Sequence, residues 1–203
     1  MKSKIAIIDY GLGNVNSVKN MIYKAGREAE IVSEPKRLVD YEILILPGIG
    51  SYDNAIIKLK KQQWWEAIIN FKNSNKIILG ICLGMQLLME NSEEGNLEGF
   101  GFIKGNVKKF LFAESDLRVP HMGWNKIKTA NILFSGFDQN KFYFTHSYYA
   151  DPMSSKNVLS KTFYGFEFAS SVIGKNVLGV QFHPEKSHNY GLAFFKNFLK
   201  LYA

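Results

Sequence analysis

The sequence predicts an α/β fold: an open, mostly parallel sheet flanked by helices, with antiparallel strands added in the C-terminal half. Two observations carry this. Through the first hundred residues, short apolar runs alternate with amphipathic stretches of helical spacing. From about Gly105 onward, the pattern becomes a series of β-rich runs joined by short turns.

The first run, Lys4 to Ile8, ends in Asp9-Tyr10-Gly11-Leu12-Gly13-Asn14, a buried strand leading through a glycine turn into a helix start. From Ser17 to Ala25, Val18, Met21, Ile22 and Ala25 recur at helical spacing, and Gly26 stands where that helix should stop. Strands are expected at Ala29 to Val32, Ile43 to Leu46 and Ile77 to Leu79, with helical stretches around Ala55 to Leu59 and Trp65 to Phe71. Ligands of such sheets bind beyond the carboxyl ends of the strands. The glycine-bearing loops after Ile8, Leu46 and Leu79 should therefore share one active edge. Met85 to Met89 reads as a helical run. Lys141 to Tyr149, Val158 to Thr162, Phe166 to Val172 and Val177 to Phe182 read as strands, and Tyr190 to Tyr202 as a closing helix.

The 203 residues suffice for one well-buried domain, and no break in composition divides 1–203 into two. The N-terminal apolar run meets Asp9 after four residues, too short for a signal peptide or membrane span, so a cytoplasmic protein without a membrane partner is expected. The single cysteine, Cys82, excludes an intrachain disulfide framework and a multi-thiolate zinc site; no metal or cofactor is expected. The net charge of +7 comes from scattered lysines such as Lys58, Lys60, Lys61 and Lys72. With no arginine-rich stripe or zinc-finger pattern, solvated helix faces explain these lysines and no nucleic-acid partner is expected.

Cys82 by itself is either a small buried hydrophobe or a nucleophile. It lies in Gly80-Ile81-Cys82-Leu83-Gly84, between a buried strand and the helical run, the geometry of a nucleophile elbow. Small residues two places either side let such a turn pack tightly. A following helix N-terminus stabilises a thiolate and offers free N–H groups to an oxyanion, Leu83 first. The same glycines would also suit close packing around an inert thiol, so a base is required. Gln181-Phe182-His183-Pro184-Glu185 supplies one at the end of the last apolar run. His183 should emerge on the edge that carries Cys82, with Glu185 orienting the imidazole. Separately, the two would read as a structural histidine and a surface charge.

The motifs GICLGMQ (Gly80 to Gln86) and GVQFHPEKS (Gly179 to Ser187) resemble those of the class I, or triad, glutamine amidotransferases. With DYGLGN, PGIGSYD, PHMGWN and FYFTHSYY in matching order, the likeness covers essentially the whole chain and is closest to the glutaminase subunits of imidazole glycerol phosphate synthases. That resemblance implies a flavodoxin-like sheet and a catalytic triad of Cys82, His183 and Glu185. It makes Pro47-Gly48-Ile49-Gly50 an oxyanion strand, in which Gly48 and Gly50 let a peptide flip aim the Ile49 N–H at the tetrahedral intermediate beside the Leu83 N–H. An ordinary glycine-rich turn is the alternative, and Ile49 stands where valine is commoner.

By the same carry-over, Gly50, Gln86, Glu94, His146, Ser147 and Tyr148 form the pocket for L-glutamine, with Glu94 receiving its ammonium group. Met122, Trp124, Tyr143 and Lys186 face a (β/α)8-barrel synthase, although Tyr143 suits a β-sheet core equally well. Ammonia passing through that partner would enter histidine biosynthesis, yielding imidazole glycerol phosphate and an aminoimidazole carboxamide ribotide by-product. A second branch supplies ammonia for acetamidino-sugar formation in surface polysaccharides, and GNVNSVKNM, YGFEFASS and EKSHNYG resemble it. A noncatalytic docking module, or a peptidase-like cysteine hydrolase of related fold, would keep the fold without the glutamine chemistry.

Overall fold

The computed structural model describes residues 3–112, 117–136 and 140–203. The sheet is built from β1 (Ile5–Ile8), β2 (Glu30–Val32), β3 (Ile43–Gly48), β4 (Ile77–Cys82), β5 (Asn91–Ser92), β6 (Gly105–Lys109), β7 (His121–Lys128), β8 (Lys141–His146), β9 (Tyr148–Pro152), β10 (Val158–Tyr164), β11 (Phe166–Gly174) and β12 (Val177–Val180). The helices are α1 (Val15–Lys24), α2 (Tyr52–Lys61), α3 (Trp64–Asn73), α4 (Leu83–Gln86) and α5 (His188–Tyr202). The strand order is β2-β1-β3-β4-β12-β11-β10-β7-β8, with β5, β6 and β9 forming a branch off β11. β2, β1, β3, β4 and β12 are parallel; from β12 outward the pairing along the main path is antiparallel.

The alternation of the strands divides the core. Ala6 and Ile8 of β1 join Tyr52, Ile56, Leu59, Trp64 and Ile68 of α2 and α3 on one face. Ile5 and Ile7 join Val18 and Ile22 of α1 and Phe194, Phe195 and Phe198 of α5 on the other. α1 ends before Gly26, whose φ of +91° supplies the left-handed stop.

Two expected elements change form. The run Lys141 to Tyr149 breaks at Ser147 into β8, which pairs β7, and β9, which pairs β6 and β11. The helix expected over Met85 to Met89 is the single turn α4, starting two residues earlier and relaxing after Gln86 into two i→i+3 turns at Leu88 and Met89. All seven residues from Leu83 to Met89 are buried, so local packing fixes the chain there rather than the regularity of a long helix.

Beneath the C-terminal end of β12 lies an aromatic nest. Phe182 is fully buried and stacks on Phe142 at 4.0 Å between ring centroids, with Phe134, Phe144 and Phe194 around it. Phe182→Ala is expected to cost about 3–5 kcal/mol of stability, measured as a shift in the denaturant midpoint without a large change in slope.

Candidate functional site

Cys82 closes β4, and its peptide turns abruptly into α4: φ is +55° and ψ is −110°, a conformation that non-glycine residues occupy only when the surroundings hold them there. Those surroundings are unusually close. A Cβ on Gly80 would lie 2.5 Å from the Gly84 carbonyl oxygen, and one on Gly84 would lie 1.9 Å from the carbonyl oxygen of Leu46. A Cβ on Gly48 would lie 2.9 Å from the Gly84 nitrogen. The three glycines let β3, β4 and the cysteine turn approach to backbone contact, which presents the Cys82 side chain at the sheet edge. Leu83 opens α4, so its N–H has no intrahelical acceptor.

β12 runs parallel to β4 in direct register, Val180 opposite Ile81, so the chain leaving β12 reaches the same edge as Cys82. There the His183 N–H donates to the Tyr143 carbonyl, and its own carbonyl accepts from Ser187 Oγ at 2.6 Å, which locks the backbone. Pro184 starts a 3-10 turn, Pro184–Lys186, that folds Glu185 back onto the ring: Glu185 Oε1 lies 2.7 Å from His183 Nδ1, with both side chains 2% exposed. Nε2 of the imidazole is left without a hydrogen-bond partner in the protein. Burial opposes the charged imidazole, but the anionic Cys82 sulfur and the Glu185 carboxylate outweigh it and raise His183 to about 10. While the sulfur is anionic the imidazole is therefore held protonated at neutral pH.

These groups open into a cavity of about 320 Å³ lined by Ile49, Gly50, Cys82, Leu83, Gln86, Glu94, Pro120, Thr145, His146, Ser147, Tyr148 and His183. Gly50 lies at φ +101° beside the exposed Ile49. Every residue expected to hold glutamine thus lies on one wall or another. A larger, more apolar groove of about 590 Å³ lies between the Pro35–Asp40 turn and α3, shares no lining residue with this cavity, and contains neither cysteine nor histidine.

The wall around Tyr148 is fixed by a directional chain. Asn125 Oδ1 accepts from the Lys126 N–H, which turns the Asn125 amide NH2 toward His121 Nε2 at 3.1 Å. His121 therefore donates through Nδ1 to His146 Nε2 (2.9 Å), and His146 donates through Nδ1 to the Tyr148 carbonyl (2.7 Å). Burial lowers His121 to about 4 and His146 to about 3, so both rings are neutral, as this arrangement requires. From the other side, Gln86 donates to the same carbonyl and to Gln181 Oε1, and Gln181 Nε2 approaches Cys82 Sγ at 3.7 Å. His146 lines the cavity, yet both its ring nitrogens are engaged by protein. Glu94 differs: half-buried, its carboxylate accepts from the Tyr52 N–H at 3.1 Å, and burial raises its pKa.

Sequence reading did not find His121, Asn125, Thr145 or a role for Gln181. His121 and His146 are 25 residues apart and meet only through the β7–β8 register, in which they are direct partners. The residues expected at a partner surface form a neighbouring cluster. Trp124 stacks on His188 at 5.5 Å and meets Tyr143 edge-on at 6.3 Å; Lys186 Nζ lies 5.9 Å from the Tyr143 ring centre; Met122 is exposed on the same strand.

Among the described residues no group of three histidine, cysteine or carboxylate side chains could hold a metal ion, and no helix is long and apolar enough to cross a membrane. A thiol at a strained strand-to-helix turn and a carboxylate-backed imidazole lining the same small cavity suit an amide hydrolase of the cysteine type. The chain belongs to the class I glutamine amidotransferase family, whose model matches residues 6–201. It is 48% identical to the imidazole glycerol phosphate synthase subunit HisH of Sulfurimonas denitrificans, over 97% of each chain. It is 46% identical to subunit HisH 2 of Methanococcus maripaludis, over 97% of this chain and 98% of that one. Among solved structures, PurLQS from Thermotoga maritima matches with a TM-score of 0.75 over 99% of both chains at 21% identity, a likeness of fold.

Proposed function

We propose that this chain is the glutaminase subunit of an imidazole glycerol phosphate synthase, hydrolysing L-glutamine to L-glutamate and delivering the ammonia to a (β/α)8-barrel synthase subunit in histidine biosynthesis. The observation that carries the chemistry is the 2.7 Å contact between His183 and Glu185 at the edge occupied by Cys82. The full-length likeness to subunits named for imidazole glycerol phosphate synthase supports this acceptor over a surface-sugar one.

Glutamine enters with its α-ammonium group toward Glu94 and its side-chain amide toward Cys82. The Cys82 thiolate adds to the amide carbon, and the Leu83 and Ile49 N–H groups hold the resulting oxyanion. Protonated His183 gives its Nε2 proton to the departing nitrogen as the C–N bond breaks, which leaves a glutamyl thioester and ammonia. Neutral His183 then takes a proton from water as that water attacks the thioester carbon. The C–S bond breaks, glutamate leaves, and the thiolate–imidazolium pair is restored. Glu185 stabilises the imidazolium throughout. His146, with both nitrogens engaged, positions the Tyr148 carbonyl rather than bonding substrate. Ammonia then leaves across the surface formed by Met122, Trp124, Tyr143 and Lys186.

In the reconstituted complex, Cys82→Ala is expected to abolish glutamine-dependent synthesis while synthesis from added ammonium salt continues at the wild-type rate. Loss of both activities would make this chain structural support only. Assay of the complex with an acceptor sugar in place of the histidine-pathway ribotide would return no product if the proposed acceptor is right.

A further inference from the structure

We propose that Asp53, at the start of α2, is a positioning residue for recognition of the substrate's α-ammonium group, because its carboxylate clamps the 92–97 loop that carries Glu94 against the helix. The inference rests on the reading of Glu94 given above. Asp53 Oδ1 accepts from the backbone N–H groups of Asn96 and Leu97, each at 3.1 Å, and Oδ2 accepts from the Asn96 N–H at 3.0 Å. In the reverse direction, Glu94 Oε2 accepts from the N–H of Tyr52, the neighbour of Asp53. Helix and loop are thus cross-tied by bonds of opposite sense, one residue apart on the helix and two or three apart on the loop.

Gly95 makes the approach possible, since a Cβ there would lie 2.0 Å from Asp53 Oδ1. On its other side the loop is held by the Glu93 N–H to the Val107 carbonyl and by Glu93 Oε2 accepting from the Lys109 N–H. Glu94 is therefore suspended between two anchors, one on β6 and one on α2, with its carboxylate at the cavity wall. Removing the Asp53 carboxylate leaves the Tyr52 N–H as the one tie of Glu94 to α2 and frees the backbone that carries Glu94 to shift. Cys82, His183 and Glu185 are untouched.

The test compares glutamine with 4-carbamoylbutanoate, which has the same amide and carboxylate but no α-amino group. In the complex, wild type should prefer glutamine in kcat/KM. Asp53→Ala should raise KM for glutamine on the order of 10-fold or more with kcat nearly unchanged, leave 4-carbamoylbutanoate almost unaffected, and so collapse the preference. Glu94→Gln should collapse it too, and the double variant should add little beyond either single one. Asp53→Asn, which keeps an oxygen acceptor for both loop N–H groups, should retain most of the preference. This last variant also guards against a folding defect, because it preserves the clamp in a helix of unchanged length. Preference lost in Glu94→Gln but kept in Asp53→Ala would overturn the role of Asp53. Preference kept in both would overturn the ammonium site itself and the proposal with it.

Discussion

Replacing His183 with alanine is expected to slow glutamine hydrolysis by roughly 10³-fold or more, with the loss in kcat rather than in KM. In the proposed mechanism one imidazole both protonates the leaving nitrogen and activates water. In its place alanine leaves the Glu185 carboxylate buried and unpaired, with Oε2 already lacking a partner. Glu185→Gln should cost less, because the glutamine amide can still contact Nδ1 while it ceases to stabilise the charged ring. The two losses should not add, since both act on a single imidazole. Stopped-time measurement of glutamate release in the reconstituted complex checks both single variants and the double one. Circular dichroism should show little change of fold, since the His183 backbone is held by Tyr143 and Ser187 rather than by its side chain.

The second large effect belongs to a residue without a functional group. Gly84→Ala places a methyl 1.9 Å from the Leu46 carbonyl oxygen, and that oxygen belongs to a central strand paired on both sides. Neither strand can retreat without breaking the sheet, so the cysteine turn must move. We expect a loss of stability on the order of 3 kcal/mol or more, together with a drop in turnover to near background. Ala substitution at Gly26, where a Cβ meets nothing within 4 Å, is the control. It should cost only the backbone strain of its positive φ, about 1 kcal/mol, and leave turnover intact.

The features legible in the sequence were those that depend on neighbours along the chain. The alternation of buried runs and amphipathic stretches located β1, β3, β4, α1, α3 and α5, because continuous apolar runs and period-3.6 burial are written locally. The Gly-X-Cys-X-Gly spacing foretold the tight turn, because the clash that Gly80 avoids, with the Gly84 backbone, lies within four residues. What escaped was set by pairing across the sheet. Nothing in Thr145-His146-Ser147-Tyr148 interrupts a strand-like pattern, yet β8 and β9 part there to pair different neighbours. His121 and His146 meet through register alone. Asp53 meets Asn96 and Leu97, 43 and 44 residues further along the chain, only in the folded protein. The helix expected over Met85 to Met89 fell short because its residues answer to the core on every side.

In the proposed mechanism the Cys82 sulfur becomes covalently bonded to the substrate. Rapid acid quenching of the complex during glutamine turnover, followed by mass spectrometry of the peptide containing Cys82, tests it directly. A glutamyl group is expected on that cysteine, present only while glutamine is being consumed and absent from Cys82→Ala, which should also release no glutamate. Turnover that persists in Cys82→Ala, or a glutamyl group found on a different side chain, would contradict it.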